Sequence, residues 1–336
     1  MKNNAPFPID LVYLWVDSAD PKWQAKKNEA LATMGKPIDK AALDGRFECK
    51  NELKYSLRSV QKYLPWINHI YIITDDQVPS WLNVENPLIS IVDHRDIVPA
   101  EFLPTFNSAA LELFIHRIPG LSEHFIYAND DMFVGSPLTP DFFFNASGHP
   151  IVILREKWYE KSVFLPAPSR QHSLVGIRVR NAVRLVFHLT GLRYNMSICH
   201  AIEPMRKSYL EDIFAQHGSK IITDTATAFR EPKNVQRIFY PLYNHAQVRS
   251  DIVADWRFGA QRVLLSAEAS RFGILRRSFL QMLPFVRHDY INVKKGVLEK
   301  ISRLNPALFN INNSTLFEKG LGDMETLFPQ KPEFEK

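Results

Sequence analysis

Asp130 and Asp131 stand side by side after Tyr127-Ala128-Asn129, at the end of an apolar run that begins at Phe125. Two adjacent carboxylates with an amide beside them suit a divalent cation bridging phosphate oxygens, because hard cations take oxygen ligands. Either acid could instead serve as a general base, and a loop whose acids cap the next turn is the competing explanation. A second acidic cluster, Trp15-Val16-Asp17-Ser18-Ala19-Asp20-Pro21, also follows an apolar run. Acids there suit a nucleotide base or ribose, and an Asx turn accounts for them equally well. His94 and Asp96 follow a third such run, where a solvated loop explains them.

His200 lies next to Cys199. Neighbouring residues on a strand or helix point apart, which argues against a Cys–His nucleophilic dyad. Arg230, in Ala228-Phe229-Arg230-Glu231-Pro232, reads by itself as one half of a surface ion pair. Basic and apolar residues mix over 155–193 and 257–303, a pattern that fits an anionic membrane, a polyanionic polymer or a solvated face.

Several function classes are excluded. No GxGxxG, GxxxxGK[ST] or GxSxG occurs, which removes dinucleotide-fingerprint enzymes, P-loop NTPases and nucleophile-elbow hydrolases. No helix-turn-helix, zinc-finger or RNP pattern supports nucleic-acid binding. The two cysteines, Cys49 and Cys199, form no paired motif, so a zinc site or disulfide framework is not expected and a reducing compartment is. A signal peptide is not expected before the first apolar run, and no stretch approaches the ~18 uncharged apolar residues of a spanning helix.

The elements that must carry these residues follow from the periodicity. Residues 9–16, 67–74 and 125–128 read as buried strands, the first rich in β-branched and aromatic residues, and 89–92 as a further strand. Residues 22–34, 51–63 and 107–118 read as helices between them, the last capped by Asn107 or Ser108, and 79–82 as a helical turn. Alternating strands and helices predict an α/β fold with a mostly parallel sheet. The polar clusters at Asp17, Asp75, His94 and Asp130 all follow strands, so they should converge on the crevice at the strands' carboxyl ends. Further on, 178–190 reads as a basic amphipathic helix, 203–217 as a helix, 220–223 as a strand and 257–285 as helical. The tail from Gly320 reads as a loop and disordered end. The chain has 336 residues, 46% of them hydrophobic and 23% charged, enough for a sizeable core in one elaborated domain or two. Its 41 Lys and Arg against 36 Asp and Glu give +5, a mild excess that suggests an anionic partner without specifying one.

Taken together, four blocks resemble the Stealth family, sugar-phosphate transferases of bacterial cell-surface polysaccharides whose animal relative is the lysosomal-enzyme N-acetylglucosamine-1-phosphotransferase. The blocks are IDLVYLWVDSADP from Ile9; the long run from Arg46-Phe47 through NELKYSLRSVQKYLPWINHIYIITDDQVPSWL, IVDHRDI and LPTFNSAALELFIHRIPGLSEHFIYANDDMF; Cys199-His200-Ala201-Ile202-Glu203-Pro204-Met205 with Phe229-Arg230; and Leu308-Phe309-Asn310-Ile311-Asn312-Asn313. The last departs from the family, which has Asn-Asp where this chain has Asn312-Asn313; an amide can bind an oxygen but supplies no negative charge.

The resemblance implies a Rossmann-like, GT-A-like sheet flanked by helices, with a basic helical insertion in the second half. It divides the chain into a nucleotide-sugar-binding core at 1–150, a basic helical insertion at 151–198, a half completing the active site at 199–320 and a flexible tail at 321–336. It further implies transfer of a hexose-1-phosphate, such as an N-acetylhexosamine-1-phosphate, from a UDP-sugar to a polysaccharide hydroxyl, releasing UMP. The anomeric bond stays intact because attack falls on phosphorus. By analogy Asp130 or Asp131 serves the cation or the base, His200 the proton transfer and Arg230 the phosphate oxygens. Trp15, Asp17, Asn51, Glu52, Arg58, Asn107 and Asn312 would line the donor pocket, with Asp131 as ligand to Mg2+ or Mn2+. Such an enzyme is expected in the cytoplasm, in peripheral contact with the inner membrane and without nucleic acid. Two alternatives stand beside it: a metal-dependent GT-A glycosyltransferase releasing UDP, and a catalytically silent polysaccharide- or membrane-binding protein.

Overall fold

The computed structural model describes residues 5–34, 49–156, 173–255, 263–265, 290–293, 296–311 and 314–336. Its centre is a five-stranded sheet built around β1 (Ile9–Leu14), every residue of which is buried. Val12 and Leu14 face one apolar cluster. Ile9, Leu11, Tyr13 and Trp15 face the other. A strand buried on both faces reads as a continuous apolar run, which is the pattern that marked it in the sequence. Beside it lie β2 (Ile70–Thr74) and then β3 (Ile89–Asp93) on one side, with β4 (His124–Asn129) on the other, all parallel. The order therefore runs outward in two directions from β1, leaving a switch point between β1 and β4.

The helices between these strands are α1 (Pro21–Thr33), α2 (Glu52–Tyr63), the short α3 (His94–Ile97) and α4 (Ser108–Phe114). Asp20 caps α1, accepting from the Lys22 N–H at 2.8 Å, with Pro21 at the first helical position. His94–Ile97 is thus a capped helical turn rather than an open loop, and 79–82 is a turn without a helix.

After β4 a two-residue turn, Asp130-Asp131, leads into β5 (Met132–Val134). The next strands are β6 (Ile151–Glu156), β7 (Met196–Ile198) and β8 (Glu203–Arg206), with α5 (Leu174–Thr190) between β6 and β7. β8 is antiparallel to β4 at the edge of the main sheet, pairing Glu203 with Tyr127 and Arg206 with His124. It leads into α6 (Lys207–Thr225), followed by α7 (Phe239–Ala246). A second sheet joins β6 and β7 to β9 (Asp251–Asp255) and β10 (Val263–Leu265). A third joins β5 to β11 (Tyr290–Asn292) and β12 (Leu308–Asn310), with α8 (Val297–Leu304) between the last two.

The second half departs from its sequence reading in several places. Residues 203–206 are strand, and 220–223 belong to α6, because Ile221 and Ile213 fall on the helical face packed into the core. The segment 151–198 contributes two strands to a sheet as well as a helix. Within that helix Arg178 and Arg180 are buried, so its basic residues do not form one solvated face. Of the helix expected over 257–285, residues 263–265 are strand and the rest lie outside the described residues. One apolar cluster includes Phe125 and Tyr127 of β4 together with Leu210, Ile213 and Phe239, so the two halves share a core.

The C-terminal segment is the clearest correction. Instead of a flexible tail, residues 321–336 form α10 (Leu321–Leu327), after α9 (Ser314–Lys319), and then an ordered strap. Arg58 on α2 explains why. Its guanidinium makes a fork to Glu335, with Nε to Oε2 and Nη2 to Oε1 both at 2.7 Å, and Nη1 donates to Glu325 and to the Phe328 carbonyl. Lys54 adds a 2.9 Å ion pair to Glu335, and Tyr55 donates to Glu325. Arg58 therefore clasps the C-terminal segment and does not line a pocket. Removing one partner of a buried pair strands the other charge. Arg58→Met is expected to destabilise the fold by about 3 kcal/mol, read as a lower urea midpoint, with earlier proteolytic cleavage after residue 320; an unchanged midpoint would contradict the clasp.

Candidate active site

Parallel β1 and β4 are in register at Leu14 and Asn129, so the chain leaves both strands at the same edge and neighbouring positions. Trp15 to Asp17 and Asp130-Asp131 thus emerge beside each other at the switch point, about 5 Å apart in the strand-pairing direction. β8 brings the third component. Because it runs against β4, its start lies beside the end of β4, and His200, three residues earlier, arrives opposite the acidic turn. His200 Nε2 sits 2.8 and 2.9 Å from the two carboxylate oxygens of Asp131. The His200 side chain keeps a quarter of its surface exposed. A carboxylate on Nε2 fixes the proton there and leaves Nδ1 as the basic nitrogen.

Asp130 has a different environment. Burial first, then the charge of Asp131 and then that of Glu52, lifts its carboxyl well above the ordinary carboxylate range. Burial likewise raises Glu52, opposed by backbone N–H groups and reinforced by Asp131. Glu52 opens α2, and Asn51 before it adopts a left-handed conformation, φ 68°, with its side chain capping nothing. A non-glycine residue held there stores strain, a common feature where backbone geometry serves a ligand. Cys49 closes the other side, its thiol accepting from the Trp15 indole at 3.4 Å and pushed up to about 11 by burial.

The turn is braced from behind. Tyr127 lies 3.0 Å from Glu112 and 2.7 Å from Asn129 through its hydroxyl. Glu112 and Glu203 flank the buried Arg237 at 3.5 and 2.9 Å. Arg230 arrives from the segment after α6, its Nη2 donating to Ser108 Oγ at 2.7 Å. Asn107 fastens that segment: its amide donates to the Thr225 carbonyl, Thr227 and Asn234, while its oxygen caps α4 through the Ala109 N–H. Fully buried and fully bonded, Asn107 is a positioning residue and not part of a pocket wall.

Residues 46–152 match Stealth protein CR2, conserved region 2, and residues 7–35 match Stealth protein CR1, conserved region 1. A capsular polysaccharide phosphotransferase of Haemophilus influenzae, fcs1, is 38% identical over 255 residues, covering 74% of this chain and 68% of that protein. The chain belongs to the Stealth family. The capsular polysaccharide phosphotransferase LcbA of Neisseria meningitidis is 38% identical over 67% of this chain and 61% of its own length. An exopolysaccharide phosphotransferase of Streptomyces coelicolor is 36% identical over 80% of this chain and 45% of its own length, so this Stealth chain spans between about half and two thirds of these relatives. Among solved structures, the glycosyltransferase GlyE of Streptococcus pneumoniae TIGR4 overlaps with a TM-score of 0.34 at 11% identity, covering 74% of this chain and 45% of that one.

The end of the first block, the end of the second and the start of the third meet at one edge of the sheet, and several other motif side chains are used elsewhere. Asp17 accepts from the Ala19 N–H at 2.8 Å, so it does form an Asx turn, while Gln77 binds both its backbone N–H and its carbonyl. Asp75 pairs with Lys26 at 2.6 Å. His94 is buried, and burial pushes its imidazole down to about 4, which keeps it neutral. Asn312 and Asn313 lie outside the described residues, but Ile311 donates its N–H to the Asp131 carbonyl at 3.1 Å, so the fourth block reaches the acidic turn. In the sequence Ser108 shows only as a candidate helix cap and Cys49 only as an unpaired cysteine, and neither pattern marks them for the site.

Asp130 has a stability consequence. A group whose folded pKa is raised contributes stability that is lost as pH rises from its unfolded value, about 3.9 for Asp, through its folded value. Asp130→Asn is therefore expected to melt above the parent at pH 8, with the advantage vanishing towards pH 4. Equal melting temperatures across that range would contradict the burial of a charge at this position.

Proposed function

We propose that this Stealth protein transfers a sugar-1-phosphate from a UDP-sugar to a hydroxyl of a polysaccharide acceptor, forming a phosphodiester and releasing UMP. The observation that carries the reading is the Asp131–His200 pair at the switch point, within a chain whose relatives are named polysaccharide phosphotransferases. The acceptor hydroxyl attacks the phosphorus bonded to the sugar. Its oxygen forms the new P–O bond, the bond to UMP breaks, and the hydroxyl proton passes to His200 Nδ1. Asp131 holds Nε2–H and offsets the charge that develops on the imidazole, as a carboxylate does behind a catalytic histidine. Arg230 offers a planar fork to phosphate oxygens, its orientation set by Ser108.

Among the described residues, no three His, Cys, Asp or Glu side chains converge as a protein-only metal site. One or two carboxylates completed by substrate phosphates is the usual arrangement for Mg2+. Asp131 and Asp130 fit that arrangement, and a cation held there, Mg2+ or Mn2+, would supply neutralisation of phosphoryl charge. Trp15, Asp17, Asn51 and Glu52 then border the donor. Within this reading the enzyme works in the cytoplasm, where UDP-sugars are made, beside the inner membrane. Among the described residues no helix is long and apolar enough to cross a membrane.

Purified protein incubated with UDP-N-acetylglucosamine, Mg2+ and a capsular oligosaccharide is expected to release UMP. UDP as the product would point to ordinary glycosyl transfer, and no nucleotide with any donor of a panel would point to a binding protein. Asp131→Asn and His200→Ala are each expected to lower kcat by at least about a hundredfold without unfolding the protein, and full activity in both would overturn the assignment.

A further inference from the structure

Asn129 is the last residue of β4 and stands directly before the acidic turn. An amide in that position could cap the turn or face a cation with its oxygen, but that oxygen is taken from behind. Asn129 Oδ1 accepts from the hydroxyl of the buried Tyr127 at 2.7 Å. Tyr127, two residues earlier on the same face of the strand, also lies 3.0 Å from Glu112 of α4. Asn129 is only partly buried, and among the described residues nothing bonds its amide nitrogen. The side chain is therefore pinned by its oxygen and leaves two N–H groups uncommitted beside the acidic turn.

Arg230 is held from the same helix. Its Nη2 donates to Ser108 Oγ, and Ser108 and Glu112 stand four residues apart on α4, on one face with about 5–6 Å between Cβ atoms. One face of α4 thus fixes a guanidinium at one post and, through Tyr127, an amide at the next. The chemistry of the two is one-sided. A guanidinium has no acceptor, and an amide whose oxygen is taken has only N–H groups left to offer. Such a pair suits a diphosphate, each phosphoryl group taking one set of N–H groups.

We infer that Asn129 is a phosphate-binding residue, its amide N–H groups donating to the diphosphate of the UDP-sugar beside Arg230, and that Tyr127 is the positioning residue that turns the amide that way. Phenylalanine would fill the fully buried Tyr127 site without a hydroxyl to satisfy, and the contacts of that hydroxyl are Glu112 and the amide. In the proposed reaction negative charge builds on the departing UMP, and N–H groups fixed in advance stabilise it without reorganising.

The assignment rests on the proposed reaction for its place in turnover, and its test reads phosphate binding alone. Inorganic pyrophosphate is titrated into the protein by calorimetry with Mg2+ present. The parent is expected to bind it, and Asn129→Ala to bind it at least about tenfold more weakly, the loss that follows from removing hydrogen bonds to a charged group. Tyr127→Phe, which keeps the amide but frees it, should weaken binding several-fold. Added to Asn129→Ala it should change nothing further, because the hydroxyl acts through the amide. A Tyr127 needed only for packing would weaken both backgrounds alike, and that result overturns its positioning role. Mn2+ binding, followed by electron paramagnetic resonance, should be unaltered in both single variants. Far-UV circular dichroism and melting temperature show which variants are folded, and Tyr127→Phe decides if Asn129→Ala is not. Unchanged pyrophosphate affinity in the folded variants overturns the inference, as does a parent that binds no pyrophosphate. Weakened Mn2+ binding in Asn129→Ala overturns it too, since the amide would then face the cation with its oxygen. If pyrophosphate binding behaves as expected while the parent releases no UMP from any donor, the phosphate site stands and the proposed reaction falls.

Discussion

A strand that runs against its sheet makes the Asp131–His200 contact possible. Parallel strands deliver the residues after them to the carboxyl edge, so β1 and β4 bring Trp15, Asp17, Asp130 and Asp131 there without special provision. A residue that precedes a strand reaches the same edge only if that strand is antiparallel. β8 is, and its pairing with β4 sets His200 opposite the turn that carries Asp131. The surrounding structure maintains that registration: Glu203 of β8 is held by Arg237, and Arg237 by Glu112, which also meets Tyr127 on β4.

The second constraint is electrostatic. The charge of Asp131 raises the cost of ionising both Asp130 and Glu52, and the three carboxyl groups differ in environment. Asp131 has a histidine on both oxygens, whereas Asp130 is held towards its neutral form by burial and by its neighbours. Neighbouring carboxyl groups in different environments can take separate tasks in one site. The strained Asn51 and the raised Cys49 thiol border the same crowded edge.

Much of this was legible in the sequence, and the limits have physical reasons. Three of the four parallel strands, β1, β2 and β4, announced themselves because strands buried on both faces are nearly pure apolar runs, and the acids after them stood out by contrast. His200 and Arg230 carried no local pattern. Their roles depend on the direction of β8 and on a bond to Ser108, neither of which leaves a periodic trace. Arg58 and Asn107 lie within the motif blocks, yet their polar groups are spent on other parts of the chain: a pattern of residues does not say whether a side chain faces a ligand or a distant segment. The ordered end of the chain was hidden for the same reason. Its polar, proline-containing sequence looks like a tail, and the charges that fasten it are on a helix near the other end.

That separation bears on how the protein is made. Arg58 and its partner Glu335 are 277 residues apart in sequence. At a synthesis rate of roughly 5–20 residues per second, Arg58 waits on the order of 15–55 seconds before Glu335 exists. Until then a guanidinium destined for the interior has no carboxylate to receive it, and burying it alone would be strongly unfavourable. The helix bearing Glu52 therefore cannot take its final packing while the C-terminal segment is still being translated. A ribosome-bound chain would hold the parallel strands before it holds a finished site, and closure of the strap would be the step that separates a nascent sheet from a mature protein.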